Sequence, residues 1–492
     1  MRRAWVCSVA IVLGSTAAVR PDDDAVKHAL ALEATIQKAV ETAEPSIACI
    51  LVSRSEGYSK LGARFNPGAS GEPGRLGSFN PNADARFDAR GGNQDKDLIA
   101  RLNLAAPDTV PDSYGSGVVI DASGLILTNR HVIQDATKIY VRLPGKRNGS
   151  YANIHAADER SDLAVLKLID PPDGLKALPM GDADHLKKGQ FVLSVANPFA
   201  AGFKDGSPSV SWGMLSNIRR RLPGEQSEER RKPKLRYYGT LLQTDIRMPL
   251  GCSGGALLDL RGNWIGLTTS ISGVAGGESA GGYAIPIDTR MKRIIGKLRA
   301  GLEVEYGFLG IVQNRRFRDE WVPTRGGPAA KAGMVEGETI VSIDGHPIEE
   351  QDDMLLDIAA ALAGTEVRMV VEGFGQRREI RPRLAKTNWQ NDFPVIAANR
   401  PKPVYGLRVD YTSVQLISGV PGSVEIPPGV LVRDVIPDSP AAKAGLAPER
   451  QIILAVNGEY VNTPDEFYEA ARKANGKIEL TLREGDRKVT LP

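Results

Sequence analysis

The sequence is poor in cysteine, with three in 492 residues, at positions 7, 49 and 252. Cys7 lies in the apolar run at the start of the chain, and the remaining two make no disulfide framework even where an oxidising compartment would permit one. Cys49 stands in the apolar Ile47-Ala48-Cys49-Ile50-Leu51-Val52 and reads as a small buried hydrophobe. Histidine is scarce as well, with five. None of them joins cysteines or carboxylates at metal-ligand spacing, so no metal and no other cofactor is expected. An excess of charge of one sign is also missing: 62 Lys and Arg face 59 Asp and Glu, for a net charge of +3. That balance implies no dedicated polyanion partner, and nucleic acid is not expected. After residue 13 no stretch is long and apolar enough to span a bilayer, which takes about 20 residues.

What is there is the composition of a globular protein, 42% hydrophobic and 25% charged, in a chain long enough for about three domains. Residues 1–18 open with Met1-Arg2-Arg3, continue through a short apolar run and end in Ser15-Thr16-Ala17-Ala18. A basic start, an apolar middle and small residues for cleavage read as a secretory signal peptide, which sends the chain to the periplasm or outside the cell.

The chain is organised around Gly251-Cys252-Ser253-Gly254-Gly255-Ala256. A hydroxyl becomes a nucleophile when a base lies beside it, and the oxyanion formed by its attack needs backbone N–H groups converging on it. Glycines let the backbone turn tightly enough to aim those groups. Upstream, Thr128-Asn129-Arg130-His131-Val132 follows an apolar run, and Ser161-Asp162-Leu163-Ala164-Val165-Leu166 opens another. The order His131, Asp162, Ser253 is one in which the hydrolase triad occurs.

These segments, with Ser116-Gly117-Val118-Val119 and Asn197-Pro198-Phe199, resemble the HtrA/Deg family of serine endoproteases. The resemblance implies a mainly β protein: a chymotrypsin-type pair of six-stranded barrels at 24–298, with His131 and Asp162 from the first and Ser253 from the second. It also implies the roles: Ser253 as nucleophile, His131 as general base and then acid, Asp162 orienting the imidazole, and the N–H groups of Gly251 and Ser253 as the oxyanion hole. His28, His155, His185 and His346 lack such flanks and read as ordinary histidines. The sequence departs from the family at Cys252, usually Asn there, and at Leu250; only the backbone of position 252 is needed, so activity is expected to survive. The strands around 264–269 and 282–286 would line the specificity pocket, with small or medium aliphatic side chains preferred before the cut.

In chain order, apolar residues at helical spacing predict a helix over 24–44 and a strand over 46–52. A long loop at 54–113, rich in Gly, Asn, Pro and Arg, carries only the suggestion of a short helix at 98–104. Strands are then expected at 115–120, 125–128, 138–142, 152–157, 163–168 and 191–195. The mixed-charge insertion at 219–236 reads as a solvated loop.

Pro328-Ala329-Ala330-Lys331-Ala332-Gly333 recurs as Pro440-Ala441-Ala442-Lys443-Ala444-Gly445, each followed by a matching strand and turn. An internal repeat means two copies of one domain. The copies resemble tandem PDZ domains, at 301–386 and 404–492, with a linker at 387–403. A PDZ domain adds an extended C-terminal peptide as a strand and captures its carboxylate on backbone N–H groups. Phe308, Leu309, Gly310 and Ile311 would do this in the first copy, and Tyr405, Gly406 and Leu407 in the second.

The expectation is an exported serine endopeptidase acting on unfolded or damaged extracytoplasmic proteins, regulated through its PDZ domains and assembled as a homotrimer or larger oligomer. The alternatives are a non-enzymatic holdase or scaffold that keeps peptide binding, and a narrow protease that cuts one signalling protein.

Overall fold

The computed structural model describes residues 23–55, 103–106, 109, 111–220, 241–269, 281–313, 321–349, 353–354, 357–358, 361–387, 395–415, 425–474 and 476–492. The leader at 1–18, most of the loop at 54–113, the bulk of the insertion at 219–236 and part of the linker lie outside the described residues.

A helix, α1, runs over Asp23–Ala43 and leads into six strands: β1 Ile47–Ser53, β2 Ser113–Asp121, β3 Leu125–Asn129, β4 Lys138–Arg142, β5 Ser150–Asp158 and β6 Leu163–Leu168. They pair in the order β5-β4-β1-β2-β3-β6, and a further β5–β6 pairing closes the ring. The β5–β6 pairing closes the ring, while β4 pairs with only the first two residues of β5 and leaves the rest of that side of the strand open. β1 lacks polar alternation because both its faces are covered. Ala48, Ile50 and Val52 fill the barrel with Ile126, Val141 and Leu166. Cys49 and Leu51 point the other way and pack with Leu104, Tyr140, Tyr151 and Ala200. Fully burying one such aliphatic side chain is worth about 1.5–3 kcal/mol.

The next six strands, β7 Phe191–Ala196, β8 Ser209–Arg220, β9 Leu241–Thr244, β10 Ala256–Asp259, β11 Trp264–Thr269 and β12 Gly282–Pro286, form a second closed barrel in the order β10-β11-β12-β9-β8-β7. The expected pair of six-stranded barrels is therefore present. The helix Thr289–Arg299 follows, which is not among the elements expected from the sequence. Its cues are local: the Asp288 side chain accepts the N–H of Met291, and Met291, Ile294, Ile295 and Leu298 recur on one face and are buried. Those four join Ala39 and Ala43 of α1, together with residues of both barrels, in one apolar cluster.

Two α+β units complete the chain. The first pairs His346–Pro347, Thr339–Ile343, Met369–Gly373 and Gln376–Ile380 around Met369, Val371 and Trp321. The second pairs Leu407–Tyr411, Val430–Val435, Ile452–Val456, Ile478–Leu482 and Lys488–Leu491 around Val430, Ile453 and Phe467. The repeated Pro-Ala-Ala-Lys segments form matching short helices, Pro328–Lys331 and Pro440–Lys443. Between the units, in the stretch read as linker, Ile396–Ala397 pairs antiparallel with β5, Ile396 opposite Ala157. The chain thus returns to the first barrel before entering the second unit.

Candidate active site

β3 ends at Asn129, and the chain leaves the sheet through one turn of 3₁₀ helix, Arg130–Ile133, which carries His131. β5 and β6 are joined by a four-residue turn, and its last residue, Asp162, takes a left-handed backbone with φ +54. β3 and β6 pair Asn129 opposite Leu163, so the turn lies against the 3₁₀ helix. Three consecutive residues hold Asp162. The side-chain amide of Asn129 donates to Oδ2 at 3.2 Å, Arg130 N–H to the Asp162 carbonyl at 2.8 Å, and His131 N–H to Oδ1 at 2.9 Å. His131 Nδ1 lies 2.6 Å from Oδ2. With that ring nitrogen protonated toward the carboxylate, Nε2 faces outward as an acceptor.

Nε2 lies 3.0 Å from Ser253 Oγ, which belongs to the other barrel. Asp162 and Ser253 are buried, while the imidazole is about a quarter exposed, opening toward the cleft. The turn bearing Ser253 is pinned on several sides. Ser116 N–H donates to the Ser253 carbonyl at 2.8 Å, Gly254 N–H to Thr268 O at 2.8 Å, and Gly255 N–H to Cys252 O at 3.1 Å. Gly254 has φ +88, and a Cβ there would come within 2.0 Å of Ser116 O, so only glycine fits.

Gly251 has φ +97, and the carbonyl before it, Leu250 O, accepts the N–H of Phe199 at 2.7 Å. In a planar trans peptide the N–H points opposite to the C=O. The Gly251 N–H is therefore turned away from Phe199. The Cys252 thiol is buried beside the serine, and burial pushes its pKa up to about 12. Burial likewise raises Cys49 to about 12.

Several residues that brace the site carried no role in the sequence reading. Ser116 Oγ donates to Gly251 O at 2.7 Å and accepts the Asn197 N–H at 2.8 Å. Asn197 reaches Ala48 O at 3.0 Å, Thr128 Oγ donates to Ser116 O at 2.7 Å, and Thr268 Oγ donates to Cys252 O at 2.5 Å. Ser116, Thr128 and Asn197 sit inside the recognised segments, yet only the fold shows that their polar atoms meet across the two barrels. Among the described residues no group of three or more His, Cys, Asp or Glu is placed to hold a metal ion.

The segments expected to take peptides lie in the two α+β units. In the first repeat Leu309 O accepts Ala329 N–H at 3.0 Å, and Gly310 O accepts Thr324 N–H at 2.8 Å. In the second, Tyr405 O accepts Ala441 N–H at 3.2 Å, and Gly406 O accepts Ile436 N–H at 2.8 Å. This correspondence aligns Leu309 with Tyr405, Gly310 with Gly406 and Ile311 with Leu407. The second copy has contacts of its own here. Val404 and Leu407 exchange both backbone hydrogen bonds around Tyr405 and Gly406, both of positive φ, and Val409 N–H is directed at Tyr468 OH, 3.4 Å away.

Comparison with known proteins places these features in context. A trypsin-like peptidase domain profile matches residues 115–267, and a PDZ domain profile matches residues 322–373 and 431–484. The chain is 32% identical over 389 residues to a Pseudomonas fluorescens protein named "Probable periplasmic serine endoprotease DegP-like", covering 75% of this chain and 76% of that one. A protein of the same name from Chlamydia trachomatis is 28% identical over 465 residues, covering 89% of this chain and 88% of that one. Among solved structures, an HtrA-type protease AlgW with tripeptide is 25% identical with a TM-score of 0.44, over 71% of this chain and 96% of that one.

Proposed function

Because the chain belongs to the DegP-like family of periplasmic serine endoproteases, we propose that His131, Asp162 and Ser253 are its catalytic triad. The observation that carries this reading is the unbroken line from Asp162 Oδ2 to His131 Nδ1 at 2.6 Å and from His131 Nε2 to Ser253 Oγ at 3.0 Å. Ser253 attacks the peptide carbonyl while His131 takes its proton; His131 then returns the proton to the leaving amine. Asp162 keeps the imidazole in the productive tautomer and steadies the imidazolium that forms. Water enters by the same route to release the acyl group.

The oxyanion that forms on attack is assigned to the N–H groups of Gly251 and Ser253. The orientation of the Leu250–Gly251 peptide, fixed by Phe199, supports this assignment for Gly251. Cys252 contributes only backbone in this scheme.

The substrates are unfolded or damaged proteins of the periplasm. A small or medium aliphatic residue is the side chain expected before the cut. C-terminal peptides dock at Phe308, Leu309, Gly310 and Ile311 of the first PDZ domain. Tyr405, Gly406 and Leu407 form the weaker cradle, since their turn is closed on itself. A homotrimer or larger assembly is the working form.

The test is degradation of an unfolded model protein by the purified chain lacking residues 1–18, compared with Ser253→Ala. Cleavage by the parent and none by the variant is the expected result. Equal cleavage by both overturns the assignment, and cleavage by neither leaves peptide binding alone, which is the holdase.

A further inference from the structure

The turn that carries Asp162 is held from outside the protease barrels. Asp158, the last residue of β5, accepts through Oδ2 the Ser161 N–H at 2.8 Å and the Ser161 hydroxyl at 2.6 Å. The same oxygen accepts a short hydrogen bond from the hydroxyl of Tyr306. Tyr306 is buried, and the guanidinium of Arg160, also in the turn, sits over its ring, 4.3 Å from the centroid. One side chain therefore touches the turn at Arg160 and also holds Asp158, the residue just before it that anchors Ser161.

That side chain belongs to the first PDZ domain by its backbone. Thr387 N–H donates to Tyr306 O at 2.9 Å, and the next residue, Gly307, donates its N–H to Ala361 O at 2.7 Å. Phe308, Leu309 and Gly310 follow directly, so Tyr306 begins the segment that forms the proposed carboxylate cradle.

We propose that Tyr306 is a positioning residue for proteolysis, setting the placement of Asp162 through Asp158 and Ser161. The proposal rests on the reading of Asp162 as the triad carboxylate. Asp162 is left-handed, and its Oδ2 must meet His131 Nδ1 at 2.6 Å. A small rotation of a four-residue turn is enough to lengthen that contact. Burial raises the pKa of the Asp158 carboxyl, while Ser161 and Tyr306 act against the rise by hydrogen bonding. Loss of the Tyr306 hydroxyl leaves that oxygen one donor short, and the turn it organises loses its outside anchor.

The experiment uses the whole chain without residues 1–18 and three variants: Tyr306→Phe, which keeps the ring over Arg160; Asp158→Asn, which weakens the same contact from the other side; and the double variant. Active sites are titrated with a fluorophosphonate, and kcat and KM are measured per titrated site on an internally quenched peptide. The expected result is a fall in kcat per site of about tenfold for each single variant with KM nearly unchanged. The double variant is expected to be no slower than the poorer single one, because both act through one contact. A purely structural role would lower the number of titratable sites and leave kcat per site alone, and that outcome overturns the proposal. Additive losses in the double variant also overturn it. A parent chain that neither cleaves nor titrates overturns the triad reading itself, and this proposal with it.

Discussion

The backbone N–H of Phe199 donates to the carbonyl of Leu250 at 2.7 Å, and this single bond sets which way the Leu250–Gly251 peptide faces. Phe199 does so from a left-handed conformation of its own, φ +50, with its ring two-thirds exposed. Gly251 packs so closely against this loop that a Cβ would lie 2.5 Å from Asn197 O and 2.8 Å from Phe199 N.

Gly251→Ala is therefore expected to rotate the peptide that the oxyanion assignment requires. The loss of one such donor is worth about a hundredfold or more in kcat. Steady-state kinetics on a quenched peptide, normalised to correctly folded protein by circular dichroism, checks this; a variant with parental kcat removes Gly251 from the oxyanion hole.

Asp162→Asn replaces an oxygen that faces His131 Nδ1 and leaves the wrong tautomer favoured. Judged by other hydrolase triads, kcat should drop about 10⁴-fold at neutral pH. The N–H groups of Arg130 and the side chain of Asn129 still find the residue's backbone carbonyl, so thermal unfolding is expected to change far less than activity.

Cys252 lies next to the proposed nucleophile but is not expected to behave as a reactive thiol. With its pKa pushed up to about 12 by burial, the thiolate is scarce at pH 8. In the folded chain without residues 1–18, iodoacetamide should label Cys252 and Cys49 far more slowly than a free cysteine, and denaturant should release both. Cys252→Ser should keep activity within a few-fold, and rapid labelling that abolishes cleavage would refute this.

Lys386 joins the two PDZ domains to the segment that leaves the protease. Its ammonium donates to Glu303 at 3.0 Å, Glu305 at 2.9 Å and Asp410 at 2.9 Å, and Arg433 bridges Glu303 and Asp410 from the other side. Burial by itself would lower the Lys386 pKa, but Glu305, Asp410 and Glu303 together hold it above the usual lysine value. The sign follows from linkage. A raised folded-state pKa gives stability that is complete below the unfolded value, about 10.4, and is lost as pH rises past it. Lys386→Met leaves Glu305 without its cation and Glu303 and Asp410 with Arg433 alone, and is expected to cost about 3 kcal/mol at neutral pH. Urea unfolding should report that loss, with a smaller alkaline decline in the variant than in the parent.

The pattern of strands was legible in the sequence because each barrel strand is a short apolar run between turn residues, and both runs and turns are local features. β5 extends two residues earlier and one later than expected, Ser150–Asp158, since pairing with two neighbours stabilises residues whose own preference is neutral. The helix Thr289–Arg299 has its cap and spacing in the sequence, but it is short, and its adjacent Ile294 and Ile295 are β-branched residues that also suit a strand. Likewise Ile396–Ala397 reads as linker among prolines and polar residues, and only the free edge of β5 makes a strand of it.

The same division holds at the site. The segments around His131, Asp162 and Ser253 are recognisable one by one, because a tight turn, a strand end and a glycine-flanked serine each impose local demands on residue type. By itself the sequence determined the protease family, the repeated PDZ units and which side chains could carry the chemistry. The tertiary structure decided which of them meet: His131 with Ser253 across 122 positions, Ser116 with Gly251 across 135, and Tyr306 with Asp158 across 148. The physical reason is that a hydrogen bond is specified by position within a few tenths of an ångström, and over such separations only the packing of whole barrels and domains fixes position that finely.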